Sequence, residues 1–269
     1  MIGALIALRA TCILLGIWGL LNAAQWLATM RDWQDGGARG WDVRGLRRGR
    51  LYRTSATALL FAPAGLSALA GAQLAASAAL ILAPISGLTL VWLGGFGLAT
   101  ILLALRAGPD GADKLITVVT TGAILQVIGV VLGDQRIAFA GVLWTGGQLT
   151  IAYFASGASK LLIERWRNGD ALEAVFTSYM WGHRWTAAIV RKRSAAQLVA
   201  WLVMLPEVLF PLVLLLPAGW LFTVLACFFL FHMAIAVVMG LNHYPWAFLA
   251  AYPSALLLSG WLRLALGLG

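Results

Sequence analysis

Apolar residues fall along this chain in eight runs, at about 3–29, 64–84, 85–106, 115–133, 138–163, 198–217, 218–240 and 245–267. A bilayer's hydrocarbon core requires about 20 residues of helix, whereas a barrel strand needs only about 10. The runs therefore predict an all-α polytopic transmembrane bundle of about eight spans plus interfacial helices. The longest uncharged stretch, Thr57 to Leu105, is divided at Pro84, because proline ends or kinks a helix. Residues 57–63 read as a separate interfacial turn ended by Pro63. The first run has no basic side chain before Arg9, unlike the start of a secretory signal, and is read as a retained helix. The whole of 1–269 reads as one transmembrane domain with no separate soluble domain.

Composition closes off the alternatives. Hydrophobic residues make up 61% of the chain and charged residues 11%, against about 25% charged in a soluble domain. Nineteen Lys and Arg against ten Asp and Glu give a net charge of +9. In a soluble protein that surplus would suggest nucleic acid. Here it is concentrated in short segments between apolar runs, where anionic lipid headgroups are the expected partner. With eight spans, the connections after spans one, three, five and seven share a face. That face carries fifteen of the nineteen basic residues, Arg106 and Lys114 included. The positive-inside rule puts it in the cytoplasm and both termini outside.

Two of those connections are long. Residues 30–56 contain seven arginines, and Trp41–Tyr52 reads as a basic amphipathic surface segment. In 164–197, Asp170–Trp181 reads as an amphipathic helix with Asp170 as its N-cap. Trp33, Trp41, Trp166, Trp181 and Trp185 lie near span ends on the basic face, as an interfacial aromatic belt would. Cys12 and Cys227 have no neighbouring Cys or His at ligand spacing, so no metal motif is visible.

Titratable side chains inside spans are costly and therefore informative. The candidates are Lys160, Glu207 and His232, with Gln148, Tyr153, Asn22 and Gln126 as polar seconds. Thr150, Tyr153, Gly157 and Lys160 fall on one helical face, with Ser156 alongside, and such a small-polar stripe should turn toward the bundle interior. A lysine held there can act as a base or nucleophile near neutral pH. The structural alternative is that Lys160, close to its span's end, snorkels to the headgroups. Glu207, after Pro206, reads either as an interhelix hydrogen bond or as a proton relay and counter-ion. His232 reads either as a hydrogen-bonded core histidine or as part of that relay.

The stretch 147–169, GQLTIAYFASGASKLLIERWRNG, resembles the signature of the HTTM family, the membrane domain shared with vitamin K-dependent γ-glutamyl carboxylase. The resemblance rests on Gly147-Gln148, Tyr153-Phe154, Gly157, Lys160-Leu161, Trp166 and Gly169. Phe231-His232 and the later LNHYPWAFLAAYP resemble a second family block. The resemblance implies that Lys160 is the base that deprotonates a reduced quinone, with Glu207 and His232 tuning it. It also implies Gln148, Tyr153, Gly157 and Trp166 as cofactor-binding residues. It puts the loop after the lysine helix outside, opposite to the charge rule. The expected functions are a lysine-base membrane enzyme acting on a quinol or peptide, or a non-catalytic subunit, maturation factor or scaffold that packs with a membrane-protein partner. A transporter is the third reading, with Pro206 as its only suggested helix break.

Overall fold

A computed structural model of the chain describes residues 2–33 and 54–268, and every described element is helical. Eight helices are long and apolar enough to cross a membrane. They are α1 (Ile2–Ala28), α3 (Pro63–Leu82), α4 (Leu88–Ala107), α5 (Gly111–Leu132), α6 (Gln135–Leu162), α10 (Arg193–Val213), α11 (Ala218–Met239) and α12 (Tyr244–Ala265). The short helices are α2 (Ser55–Phe61), α7 (Glu164–Arg167), α8 (Asp170–Thr177) and α9 (Arg184–Val190). The expected Trp41–Tyr52 segment lies outside the described residues.

Local chemistry explains where the span boundaries differ from the apolar pattern. α5 begins at Gly111 rather than near 115, because Asp110 and Asp113 form a capping box that satisfies the first free N–H groups. Pro84 lies just past the end of α3, whose C-cap is Ala83. Pro63 opens α3 at its first turn, where a missing N–H costs nothing, so it starts a helix as well as ending α2. Asp170 is not the N-cap of α8. That position belongs to Gly169, whose φ of 87° suits glycine, and Asn168 Oδ1 accepts from the Asp170 N–H at 3.1 Å. α8 ends at Thr177, four residues before Trp181.

Arg9 does not interrupt α1. Its guanidinium donates to the carbonyls of Leu80 and Ala83 at 2.8 Å each, and to Ile81 O, and so closes the end of α3. Arg263 does the same for α10 by donating to Leu215 O at 3.0 Å. Trp33 is not part of an interfacial belt. It is buried in a small core with Trp26, ring centroids 4.5 Å apart, beneath the guanidinium of buried Arg106. Trp185 is exposed, as a belt residue should be.

α1 packs along α3 and α12, α5 pairs with α6, and α6 also packs on α10 and α12. Outward leucines such as Leu98, Leu202 and Leu230 stay exposed, which is the lipid-facing pattern of a membrane bundle. Close helix approach uses glycine. A methyl group on Gly122 of α5 would collide with Thr145 Oγ1 and lie 2.9 Å from Gly141 O, both on α6. Gly122→Ala should therefore destabilise the protein by about 1–3 kcal/mol. Gly71→Ala, where the new carbon meets nothing within 4 Å, should leave stability unchanged or raise it by up to about 1 kcal/mol. Thermal unfolding in detergent compares them, and equal midpoints would contradict the close α5–α6 crossing.

Candidate functional site

The polar stripe on α6 faces inward as its spacing predicts: Tyr153 and Gly157 are buried, and Ser156 and Lys160 half-buried. α10 runs antiparallel against it, and Gly157 makes the approach possible. A Cβ there would lie 2.6 Å from Val208 N and 2.7 Å from Glu207 Cβ. The absence of a side chain at Gly157 lets Glu207 reach the next turn of α6. There Lys160 Nζ donates to Glu207 Oε2 at 2.6 Å and to Ser156 Oγ at 2.7 Å. The lysine side chain is 20% exposed and the glutamate 6%. The ammonium does not snorkel to the headgroups; it turns into the protein. On its open side the Trp166 ring centroid is 5.7 Å from Nζ.

Glu207 sits between two prolines within α10, Pro206 and Pro211. Proline lacks the N–H that would bond the carbonyl four residues earlier. Pro206 thus leaves Leu202 O, and Pro211 leaves Glu207 O, without the usual helical donor. The carboxylate therefore stands in a stretch of helix with unusual acceptor density.

His232 does not join this pair. It is buried on α11, stacked on Phe248 at 3.8 Å between centroids, and its Nε2 lies 3.0 Å from Tyr153 Oη. Tyr153 Oη is also 3.2 Å from Tyr252 Oη on α12. Phe210 and Phe228 pack on the Tyr153 ring at 4.4 Å each. The three titratable candidates thus divide into two groups on neighbouring turns: a Lys160–Glu207 pair nearer the open side, and a Tyr153–His232–Tyr252 chain in the aromatic interior. No hydrogen bond joins the groups among the described residues. His232 Nδ1 is buried with no hydrogen-bond partner among the described residues.

Gln148 is not brought to the lysine. Twelve residues of helix separate them, about 18 Å along the axis. Asn22 instead donates to Gln73 Oε1 at 2.9 Å, and Gln73 to Thr100 Oγ1 at 2.8 Å, which links α1, α3 and α4. Gln126 faces Ser254 Oγ at 3.5 Å. Both cysteines are free.

His243, which has no evident partner in sequence, meets one across the fold: its Nε2 is 2.6 Å from Gln25 Oε1. Burial pushes its imidazole below the ordinary range, against the opposing pull of the Asp110 carboxylate. It borders a cavity of about 280 Å³ at the basic end of the bundle, with Asn22, Trp26, Asp110 and Asp113 also in its wall. This cavity lies between α1, α4, α5 and α12, away from the lysine helix. Of the residues at the candidate site, Ser156 reads in sequence only as a neighbour of the stripe, and Tyr252 only as part of the 241–253 stretch. A phenol near the middle of an apolar helix has no signal of its own until its partner is known.

The fold defines an all-α, multi-pass helical membrane protein with a charged pair between two spans. Comparison of the chain with protein-family models, with curated proteins and with solved structures finds no match.

Removing one member of a buried pair strands the other charge, whereas removing both does not. Lys160→Met and Glu207→Leu should each cost more stability than the two together imply. The expected coupling is about 0.5–3 kcal/mol in a double-mutant cycle read by denaturant unfolding. Strictly additive effects would mean that the two side chains do not interact.

Proposed function

We propose that the protein is a membrane-embedded enzyme of the HTTM type, in which Lys160 and Glu207 together take a proton from a lipid-soluble substrate. The observation that carries this is the Lys160 Nζ–Glu207 Oε2 contact of 2.6 Å within the stretch that resembles the family signature. At rest the pair is an ammonium beside a carboxylate. Lys160 Nζ passes a proton to Glu207 Oε2, and the neutral amine then accepts one from the substrate. The net change is a single proton held on Glu207. Lysine is the group that meets the substrate, because it is the more exposed of the two.

The resemblance implies a reduced quinone, which would supply an acidic O–H. The residues present fit one: the half-open side of Lys160 offers a cation beside the flat face of Trp166. Lys160 and Trp166 would hold it. Gly157 admits Glu207 to the site, and Tyr153 with Phe210 closes the interior behind the pair. Gln148 is too far along the helix to take part. His232 acts on Tyr153, so its role is to position and not to touch the substrate.

The same ion pair also ties α6 to α10, and this supports the second reading, a scaffold or maturation subunit that packs with a membrane partner. Purified protein incubated with menadiol in detergent separates the two. In air-saturated buffer, where dissolved oxygen takes the two electrons of the deprotonated quinol, the enzyme reading expects faster quinol oxidation than without protein, lost by about 10²-fold or more in Lys160→Ala while the helical circular dichroism is kept. Full activity in Lys160→Ala overturns it. So does a wild type inert toward quinol whose Lys160→Ala form no longer assembles, and that outcome favours the scaffold.

The proposed location is a bacterial cytoplasmic membrane with the basic face inside. The charge asymmetry supports it. Glu164, exposed at the start of α7, reports the side. Glu164→Cys, in a chain with Cys12→Ala and Cys227→Ala, should resist a membrane-impermeant maleimide in intact cells and react after lysis. Labelling of intact cells would reverse the orientation.

A further inference from the structure

Between α6 and α10 the chain builds a folded platform on the basic face. Leu172 of α8, Val190 of α9 and Ala196 of α10 form a separate small core, with Trp166, Phe176 and Val199 against it. The platform is therefore held in place by the first turns of α10. Its tip is not covered by any of the described residues. Tyr179 and Met180 are exposed, and so are Trp185 and Ile189 on α9. Four large apolar side chains within eleven residues are more than a water-facing loop carries without a reason.

Beyond Asp170 and Glu173 at the start of α8, the charge toward the tip has one sign. From Ala174 to Pro206 there is no Asp or Glu, while Arg184, Arg191, Lys192 and Arg193 are all present and exposed. The platform's height follows from α10. Leu198 and Leu202 are exposed on the lipid-facing side of that helix, and the Trp201 indole donates to Arg167 O at 3.2 Å, as an interfacial tryptophan does. Arg193 lies five residues above Leu198, about 7.5 Å along the helix. The basic cluster thus stands at headgroup depth, one to two turns from the exposed apolar face of α10.

We propose that the α8–α9 hairpin is seated in the anionic leaflet of the protein's own membrane, with Tyr179, Met180, Trp185 and Ile189 among the acyl chains and Arg184, Arg191, Lys192 and Arg193 on lipid phosphates. Both halves of an interfacial anchor are then present, apolar area and basic charge. An acidic protein surface is the competing occupant, but a leaflet offers acyl chains for the exposed apolar side chains as well as phosphates for the basic ones. The inference does not depend on the chemistry proposed for Lys160.

The test uses the full chain with Tyr179→Cys as its one thiol, Cys12 and Cys227 being replaced by alanine, and an NBD fluorophore on the new cysteine. The protein is reconstituted in nanodiscs of phosphatidylcholine alone or mixed with phosphatidylglycerol. Acyl-chain-brominated lipid should quench the label in the mixed discs, and aqueous iodide should not. Reversal of Arg191, Lys192 and Arg193 to Glu should weaken seating by about fivefold or more for each charge removed. Circular dichroism on the same samples confirms that the variant is folded. A label that iodide quenches in both discs overturns the proposal. Quenching by brominated lipid that is equal in both discs and indifferent to charge reversal overturns the anionic recognition. A label shielded only when an acidic protein co-purifies assigns the surface to that partner instead.

Discussion

A bilayer's hydrocarbon core contains no water to satisfy a polar atom, so each amide, hydroxyl or charge carried into it must find its partner within the protein. Hydroxyls such as Thr120 and Thr150 bond their own helix, and several charged, amide and aromatic side chains find partners on other helices. Arg9 of α1 holds the carbonyl end of α3, and Arg263 of α12 holds that of α10. Asn22, Gln73 and Thr100 link α1, α3 and α4; Tyr153, His232 and Tyr252 link α6, α11 and α12; Lys160 and Glu207 link α6 and α10. Lipid tails are as apolar as leucine and do not drive helices together. The scarce polar residues do part of that work, each by joining one helix to another.

Close packing is the other half, and it explains hydroxyls that lack a partner. Ser77 Oγ and Thr145 Oγ1 are buried without a hydrogen bond among the described residues. Each lies where a glycine brings two helices together, Gly19 against Ser77 and Gly122 against Thr145. At such a crossing a small side chain is required before a polar one is. Serine and threonine serve there by size, and the cost of a lone hydroxyl, about 1–3 kcal/mol, is set against backbone contact along a whole turn.

The spans could be read in the sequence because length and apolarity are local properties. The same holds for the inward stripe of Tyr153, Gly157 and Lys160, which is a matter of spacing on one helix. What could not be read is which helix each stripe faces. Glu207 and His232 were both plausible partners for Lys160; only the crossing of α6 and α10 at Gly157 decides for Glu207, and only the position of α12 gives Tyr153 a second phenol. Arg9 reads as a break in an apolar run, since its role depends on a helix end seventy-odd residues away. Trp33 fits an aromatic belt by position, yet it is buried because Trp26 and Arg106 meet it there. Asp170 looks like an N-cap by type, and the glycine before it took the position because the chain turns with positive φ.

The pair at Lys160 is asymmetric, and that asymmetry bears on what it can do. Glu207 is nearly closed off, fixed on a helix whose two prolines remove backbone donors on either side, while Lys160 reaches it from the half-open edge near Trp166. A charge-paired lysine is a poor base while its three protons remain in place. Moving one of them across 2.6 Å to the carboxylate removes both charges at once, and the loss of Coulomb attraction is offset by the loss of the desolvation cost that both ions carried. In a water-rich site that exchange would be strongly uphill, because each ion is well solvated. At the edge of a hydrocarbon core the two forms of the pair come closer in energy. The staple between α6 and α10 is therefore also the pair of side chains on which the proposed proton transfer acts.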